Sequence, residues 1–408
     1  MNVTCRLCQG HDFFQILDLG YQPPSDQFLT HEQLDRPVAY FPLRLVRCNN
    51  CNFIQLDHVV DPKVLYQEDY PYMSSVTASG RQHFDDFAGR VVEKFGLGPQ
   101  DLVIDVGSNV GVLLGGFQRR HTKVLGIDPA QNIAEIAEKN GIPTIVDFFG
   151  QGCGESVVKN HGKAKVITGS NVFAHIDDLV SVMKDVTTIL EDGGVFVVEA
   201  PYLLHLLDNL EYDTIYHEHL SYISISPLVP FFAKLGYEIF DVDESTIHGG
   251  SLRLYISQKG KHDVMPVVAN MLQQEVEQKI HSRETLSDFA VKVAANREKL
   301  LTITREIKSK GLKIAAVSAP AKGMTLLNYC GLTKDDLMFA TEKCELKVGR
   351  YTPGSNLLVK TDQALLDYDV DYALLLSWNF KDEIIKNLEQ FRAKGGKFII
   401  PIPEPTIV

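Results

Sequence analysis

The chain has 408 residues, more than one ordinary hydrophobic core accommodates, which predicts two or three domains. Apolar residues make up 45% and charged residues 23%, values typical of a soluble globular protein. The formal net charge of -12 argues against nucleic-acid binding or an anionic membrane surface, and no apolar run reaches the roughly 18 residues of a membrane span. The start, "MNVTCRLCQG", lacks the pattern of a signal peptide. We therefore expect a cytoplasmic protein, and a monomer.

Two Cys-x-x-Cys pairs distinguish residues 1–65. Cys5 and Cys8 form one pair, and Cys48 and Cys51 form the other. Each pair can present two thiolates on a tight turn, and two such turns complete a tetrahedral zinc site. Four thiolates leave no open coordination position, so we predict a structural zinc ion. The odd total of seven cysteines also fits a reducing compartment better than a disulfide framework.

The next segment, residues 66–100, has the pattern of a helical lead-in. Phe84, Phe87, Val91 and Phe95 share one helical face. Tyr70 and Tyr72 precede them in a loop beside Pro71; tyrosines at such places are usually packing groups.

From residue 101 the chain alternates strand, loop and helix. The strands are indicated by "LVIDVG", "KVLGID", "AKVITGS" and "GGVFVVEAP". This alternation predicts the α/β fold class, with a parallel sheet covered by helices on both faces. Ligands bind such sheets beyond the carboxyl ends of the strands. We expect a binding site there.

The glycine loop "DVGSNVG" helps to identify the cofactor. Its spacing fits neither the dinucleotide fingerprint nor the Walker phosphate loop, and it suits an adenosine-containing ligand without a pyrophosphate, such as S-adenosylmethionine. Asp128 follows some 20 residues later and can accept hydrogen bonds from both ribose hydroxyls. The predicted cofactor-binding residues are Asp105, Gly107, Ser108, Asn109, Gly111, Asp128, Asp147, Phe148, Phe149 and Asn171.

A second α/β pattern begins near residue 311, after a charged helical stretch. We predict four parts: a zinc-binding module at residues 1–65, a methyltransferase domain with its helical lead-in at 66–260, a helical linker at 261–310 and a C-terminal α/β domain at 311–408. The loop "SAPAKG" could bring backbone amides and Lys322 to a diphosphate, or could simply begin a helix. The turn "HGGSLR" offers His248, Ser251 and Arg253 to a sugar or nucleotide, unless it is a plain strand-edge turn.

The stretch "DTIYHEHLSYIS" contains four groups that can move protons or bind metal, Tyr216 to His219. If a methyl group is transferred to carbon, the reaction requires a carbanion equivalent. Removal of a hydrogen next to a ketone provides one, and histidine is the base best matched to that task near neutral pH. A tyrosine hydroxyl or second histidine can donate to the resulting oxyanion. Two other interpretations remain: a metal bridging His217 and His219, or polar groups satisfied in the interior.

The order of these motifs resembles the sugar C-methyltransferases that act on nucleotide-linked 4-keto-deoxysugars. The resemblance runs from "CRLC" and "CNNC" through "DVGSNVG" and "YHEHLSYIS" to "SAPAKGMTLLNYCG", "GRYTPGSN" and "SWNF". It implies an N-terminal zinc module, a central S-adenosylmethionine domain, a C-terminal α/β domain and a nucleotide-linked keto-sugar as substrate. It implies His219 as the base, and a pocket that contains Tyr216, Glu218, His175 and Tyr70. Candidate substrate contacts are Tyr72, His248, Ser251, Arg253, Ala319, Lys322, Lys347 and Arg350.

One segment departs from the family pattern. The family commonly has Asp-x-Asn before Lys-x-Gly, where this chain has Glu342 and Cys344 before Lys347 and Gly349. The usual nucleotide contacts are therefore in doubt. Competing functions are a keto-sugar isomerase that uses the same base, a zinc-module binding protein with a vestigial pocket, and a nucleic-acid methyltransferase, which the acidic balance disfavours.

Overall fold

The computed structural model describes most of the chain, namely residues 3–66, 78–245 and 249–408. The predicted site residues Tyr70, Tyr72 and His248 lie outside these described residues. The predicted fold class is observed as three β-sheets, two of them doubly wound α/β sheets, and the sheets are described below in chain order.

The N-terminal region is built on antiparallel strands β1 (Phe13–Gln22), β2 (Phe41–Cys48) and β3 (Ile54–Leu56). Leucines on β2 and the whole of β3 are buried, so these short strands enclose a small core. Helices α1 (Pro62–Tyr66) and α2 (Ala78–Phe95) follow. Phe87 and Val91 on α2 are fully buried, where they help to cover the next sheet.

The central sheet begins with five parallel strands. β4 is buried along its entire length, as expected for a strand covered on both faces. The strands and helices of this half alternate as β4 (Leu102–Val106), α3 (Val112–Arg119), β5 (Lys123–Ile127), α4 (Gln131–Lys139), β6 (Thr144–Ile145), α5 (Gly154–His161), β7 (Ala164–Ser170), α6 (Leu179–Ile189) and β8 (Leu190–Pro201).

The segment after β8 contributes strands to two sheets. Strands β10 (Tyr237–Ser245) and β11 (Ser251–Gln258) are antiparallel additions to the central sheet, whose order is β10-β11-β8-β7-β4-β5-β6. Strand β9 (Ser221–Tyr222) instead pairs with β3 and completes the N-terminal sheet in the order β1-β2-β3-β9. The helices of this segment are α7 (Leu203–Asp208) and α8 (Ile225–Lys234), and α9 (Pro266–Glu277) and α10 (Arg283–Ser309) follow β11.

The C-terminal sheet has the order β14-β13-β12-β15-β16-β17, with β17 antiparallel at its edge. The order of its first five strands is the nucleotide-binding order 3-2-1-4-5. Its elements are β12 (Ile314–Val317), α11 (Ala321–Cys330), β13 (Ala340–Thr341), β14 (Val359–Lys360), α12 (Ala364–Asp367), β15 (Tyr372–Leu375), α13 (Lys381–Asn387), α14 (Glu389–Ala393), β16 (Lys397–Ile400) and β17 (Thr406–Ile407).

Candidate active site

A cavity of about 600 Å³ joins the two doubly wound sheets. The loops after β4, β5 and β7 line one side of it, and the loops after β12, β13 and β15 line the other. Both sheets therefore present the carboxyl ends of their strands to the same space, which is where open α/β sheets bind ligands. Most predicted site residues are among those lining it: Asp105, Gly107, Ser108, Asn109, Asp128, Asp147, Phe148, Phe149, Asn171, His175, Tyr216, Glu218, His219, Lys322 and Lys347.

The glycine loop requires glycine at its first turn. Gly107 has a φ of 63°, and a Cβ there would lie 2.3 Å from Cγ2 of Val172. Just before it, the buried Asp105 accepts a 2.6 Å hydrogen bond from the Thr168 hydroxyl. Burial raises the pKa of Asp105 to about 7. Gly111, the second glycine, is the N-cap of α3 and packs against Ile142.

Asp128 follows β5 and is held by backbone amides. Its Oδ2 accepts from the N–H of Asn109, and its Oδ1 accepts from the N–H of Ala130, both at 2.9 Å. Burial raises the pKa of this carboxyl, and the two amide donors oppose that effect. The amides fix the orientation of the carboxylate, while the side chain still lines the cavity.

Two buried polar atoms lie near this carboxylate without a partner. Within the described part of the chain, Oγ of Ser108 and Oδ1 of Asn171 make no hydrogen bond. Both residues line the cavity. Buried polar groups are normally paired, so these two fit a polar ligand such as an adenosyl group. Nearby, Phe149 is buried and Phe148 is half-buried.

Tyr216 and His219 form a close pair in the cavity. The Tyr216 hydroxyl is 2.6 Å from Nε2 of His219, and the two ring centroids are 3.9 Å apart. Nδ1 of His219 is 2.8 Å from the carbonyl oxygen of Thr214. A carbonyl oxygen can only accept, so Nδ1 carries the hydrogen and Nε2 carries the lone pair.

His175 stands beside this pair, 4.9 Å from His219 between ring centroids. Burial lowers the pKa of His175 to about 4, so it is neutral at physiological pH. Its Nδ1 lies 3.4 Å from the Tyr66 hydroxyl, whereas its Nε2 has no partner among the residues described here. This histidine thus has a nitrogen available to a ligand in the cavity.

The other two residues of the Tyr-His-Glu-His stretch differ in role. Glu218 lines the cavity and is buried. His217 lies behind it, and its Nε2 donates to the carbonyl oxygen of Phe41 at 3.3 Å. His217 and His219 therefore have separate partners, which disfavours a metal between them.

The segment that carries these groups is held from two sides. On the C-terminal side, the indole N–H of Trp378 donates to Oδ2 of Asp213 at 2.7 Å, and the Tyr212 hydroxyl donates to Asn296 at 2.9 Å. On the N-terminal side, β9 pairs with β3, and the N–H of Leu56 donates to the carbonyl oxygen of Leu220 at 2.9 Å.

Arg6, which the sequence analysis did not select, joins several of these parts. It lies between two cysteines of the first Cys-x-x-Cys pair and is buried. Its guanidinium donates to the carbonyl oxygens of Leu56 and Leu220, at 3.0 and 3.2 Å, and to Asp177 at 2.8 Å. Leu220 directly follows His219, and Asp177 lies two residues after His175. Arg6 therefore connects the cysteine turn to both histidine segments.

The four cysteines form one compact cluster. Sγ of Cys5 and Cys51 are 3.5 Å apart, as are Sγ of Cys8 and Cys48, and all four sulfurs lie within 4.8 Å of one another. Tetrahedral zinc with bonds of about 2.3 Å requires sulfur separations of this order. Among the described residues, this is the group of three or more candidate ligands that could hold a metal.

Lys322, at the start of α11, is half-buried in the C-terminal wall of the cavity. Its Nζ donates to Oδ1 of Asn379 and lies 4.5 Å from the centroid of the Trp378 ring. Burial lowers the pKa of Lys322, while the carboxylates of Asp213 and Glu211 oppose that effect.

Lys347 is the second lysine of this wall. Its Nζ donates to Oδ1 of Asp26 at 2.8 Å and to the carbonyl oxygen of Ala319 at 3.0 Å. Burial lowers the pKa of Lys347, but Asp26 and Glu342 outweigh burial and raise it. Asp26 comes from the N-terminal region and lines the cavity, another contribution that the sequence analysis missed.

The remaining candidate contacts that the structure describes are not among the residues that line the cavity. The N–H of Ala319, expected to approach a phosphate, donates to Oε2 of Glu342 at 2.9 Å. Arg253 on β11 donates to Oε2 of Glu199, with its guanidinium 3.6 Å from the centroid of Phe87. Ser251 is fully buried on the same strand, and Arg350 is half-buried on the loop before β14.

Three family models match successive parts of the chain. A zinc binding domain matches residues 5–66, a methyltransferase domain matches 81–242, and a C-methyltransferase C-terminal domain matches 246–403. C-methyltransferase NovU of Streptomyces niveus is 36% identical over 405 residues, which cover 99% of this chain and 96% of the relative. The chain therefore belongs to the C-methyltransferase family. The predicted fold class and family are confirmed, as are S-adenosylmethionine as methyl donor and zinc in the N-terminal region.

Solved structures match less than half of the chain. Magnesium protoporphyrin IX methyltransferase from Synechocystis PCC 6803, with bound SAM, is 13% identical; the match covers 44% of this chain and 79% of that chain, with a TM-score of 0.34. An S-adenosylmethionine-dependent methyltransferase from Clostridium acetobutylicum ATCC 824 is 16% identical; the match covers 44% of this chain and 92% of that chain, with a TM-score of 0.36. Separately, none of the helices in the described ranges combines the length and apolar character of a membrane span.

Proposed function

We propose that this C-methyltransferase methylates a carbon next to the keto group of a nucleotide-linked 4-keto-deoxysugar, with His219 as the base. The observation that carries the proposal is the position of the Tyr216–His219 pair, in one cavity between the loops around Asp128 and the wall that holds Lys322. Such a reaction would serve branched-sugar synthesis for a glycan or a natural product. The seven free cysteines support a cytoplasmic site for it.

His219 removes the acidic hydrogen from the carbon next to the keto group, and its Nε2 accepts that hydrogen. Its Nδ1–H donates to the Thr214 carbonyl oxygen, which keeps the lone pair on Nε2 and stabilises the imidazolium after proton transfer. The electrons of the broken C–H bond move onto the keto oxygen and form an enolate. Nε2 has one lone pair, so the Tyr216 hydroxyl must leave it before the proton is transferred, and it can then donate to the keto oxygen as the negative charge develops.

His175 is the second donor to the enolate oxygen. It remains neutral because burial lowers its pKa to about 4, and its Nε2 carries the hydrogen in the tautomer whose Nδ1 accepts from the Tyr66 hydroxyl. A neutral imidazole stabilises an oxyanion by hydrogen bonding without protonating it fully. Glu218 adds a buried acidic group to the same wall.

The methyl donor fits the side of the cavity that the loops after β4, β5 and β7 line. Asp128 would accept the ribose hydroxyls, and Ser108 and Asn171 have buried oxygens without partners in the described structure. When bound there, S-adenosylmethionine supplies an electrophilic methyl group. The carboxyl groups of Asp105, Asp128 and Asp147 make this end acidic, which suits a cationic ligand.

The nucleotide end of the substrate fits the C-terminal wall. The half-buried Lys322 and the buried Lys347 line the cavity, and such cationic groups are suited to a diphosphate.

Methyl transfer with a labelled donor tests this proposal. The protein is incubated with methyl-labelled S-adenosylmethionine and with nucleotide-linked 4-keto sugars in deuterated water. We expect label in a carbon of the sugar. Exchange of the ring hydrogen without label would instead support the isomerase, and neither exchange nor label with any keto-sugar would contradict the proposed substrate class.

A further inference from the structure

The C-terminal sheet repeats the construction of the central sheet. In both, five parallel strands have the order 3-2-1-4-5, read as β6-β5-β4-β7-β8 and as β14-β13-β12-β15-β16. The second strand of each unit ends in a carboxylate that lines the cavity: Asp128 after β5 and Glu342 after β13. The two residues therefore occupy equivalent places in the two sheets.

The backbone contacts of the two carboxylates also correspond. Asp128 accepts from the N–H of Asn109 in the loop after β4, and Glu342 accepts from the N–H of Ala319 in the loop after β12, each at 2.9 Å. Each loop contains a non-glycine residue with left-handed backbone, Asn109 with a φ of 50° and Ser318 with a φ of 69°. Such strained residues persist where the surroundings enforce them.

Amide donors behind Glu342 fix its orientation. Its other oxygen, Oε1, accepts from the N–H of Lys343 at 2.8 Å and of Cys344 at 3.3 Å. A carboxylate has about four acceptor sites, so these three amide bonds leave Glu342 able to accept one more hydrogen bond from the cavity. An anion is repelled by this carboxylate, whereas a sugar hydroxyl is a suitable partner for it.

We infer that Glu342 binds the ribose 2′-hydroxyl of the sugar nucleotide, so that the substrate carries a ribonucleoside diphosphate rather than thymidine diphosphate. A carboxylate after the second strand binds ribose in this way in nucleotide-binding folds. A 2′-deoxyribose offers one hydroxyl fewer and loses one charge-assisted hydrogen bond. This inference rests on the proposed nucleotide-sugar substrate and adds the class of nucleotide.

Ligand pairs that differ only at the 2′ position test the inference directly. Calorimetry on the intact, zinc-loaded protein compares UDP with 2′-deoxyuridine diphosphate, and GDP with 2′-deoxyguanosine diphosphate. We expect at least one ribonucleotide to bind about ten- to a hundredfold more tightly than its deoxy counterpart, the effect of one hydrogen bond to a charged group. Equal affinities within both pairs would overturn the inference.

Two variants locate the source of the preference. Glu342→Gln should remove the preference for ribose, whereas Glu345→Gln, a matched change at an exposed residue of the same turn, should keep it. Persistence of the preference in Glu342→Gln would refute the role of this residue. If Glu342→Gln fails to fold, the comparison within the wild-type protein still tests the preference for ribose, and Glu342→Asp, which keeps the charge and moves the carboxylate, then tests the role of this residue: an unchanged preference would refute it.

The outcomes separate this inference from the proposed function. Methyl transfer to a thymidine-diphosphate keto-sugar, with equal affinities for the ribo and deoxy ligands, would contradict the ribose assignment and leave the sugar C-methyltransferase intact. No binding of any nucleoside diphosphate would contradict both.

Discussion

The two doubly wound sheets have the same strand order but line the cavity with different charges. Around the central sheet, Asp105, Asp128 and Asp147 face the cavity. In the described structure, the lysines lining the cavity all come from the C-terminal region, as Lys322, Lys343 and Lys347. One architecture can thus serve a cationic methyl donor at one end and an anionic diphosphate at the other. Loop composition, not topology, distinguishes the two ends.

The proposed base and its tyrosine partner belong to neither set of strand ends. The Tyr216–His219 pair lies on the segment between α7 and β9, which both the N-terminal and the C-terminal regions hold in place. The comparison therefore predicts that single substitutions can weaken methyl-donor binding, nucleotide binding or proton transfer separately.

The largest effect is expected from His219→Asn. Loss of a general base typically lowers turnover by 10²–10⁴-fold, and we expect a decrease in that range. Exchange of the substrate's ring hydrogen with solvent should fall in parallel, while the affinity for S-adenosylmethionine measured by calorimetry stays within about twofold of the wild type. Retained exchange in His219→Asn would show that another residue removes the proton.

Asp128→Asn should weaken binding of the methyl donor without affecting the nucleotide end of the cavity. The amide side chain keeps the shape but loses the charge, so we expect the dissociation constant of S-adenosylmethionine to rise about ten- to a hundredfold. Glu342→Gln is the matched change in the other sheet and should leave that constant nearly unchanged. Equal weakening of methyl-donor binding by both substitutions would remove the distinction between the two ends.

Arg6→Met tests whether the N-terminal region positions the base. The substitution removes the guanidinium contacts to Leu56, Leu220 and Asp177. Because small displacements of a catalytic group are costly, we expect kcat to fall about tenfold, with the KM for the methyl donor unchanged.

Two controls accompany this variant. Arg44→Met removes another arginine of the same region, whose guanidinium pairs with Asp57 at 2.8 Å, and should keep normal turnover. Arg6→Lys should recover part of the activity. Zinc content measured for each variant excludes simple loss of the metal, and an unchanged kcat in zinc-loaded Arg6→Met would contradict a positioning role.

The smallest effect concerns the pH dependence of stability. Burial lowers the pKa of His217 to about 4 in the folded protein, from 6.5 when exposed. In this window the unfolded chain binds more protons, so stability falls as the pH decreases from 6.5 toward 4. His217→Gln should reduce that slope by up to about 1.4 kcal/mol per pH unit, measured by urea unfolding at several pH values.

His161→Gln, a change at an exposed histidine, is the control and should keep the wild-type slope. Some slope should also persist in His217→Gln, because burial lowers the pKa of His175 in the same direction. An unaltered slope in His217→Gln would mean that His217 titrates normally in the folded protein.

Local sequence patterns predicted both α/β units because apolar strands, small-residue loops and helices follow one another within short distances. "DVGSNVG" and "SAPAKG" could be assigned to strand ends for the same reason. The side chains at parallel strand ends then had to share an edge, and for this reason most of the predicted site residues are found lining the cavity.

Contacts between distant segments could not be predicted in this way. No local pattern marks Ser221–Tyr222 as the fourth strand of a sheet that begins at Phe13, or Arg6 as a donor to Leu220. Asp26 and Lys347 are 321 positions apart in the chain. Glu342 was noticed only as a departure from a family pattern, since its bond to the Ala319 amide depends on the register of two strands.

The pairing of β3 with β9 has a consequence for synthesis of the chain. Until Tyr222 has left the ribosome, one edge of the N-terminal sheet has no neighbour, and the buried residues Ile54–Leu56 lie along it. Exposed apolar edges of this kind recruit strands from other molecules. Nascent chains halted before that point would therefore be prone to self-association, even with their cysteines already loaded with zinc.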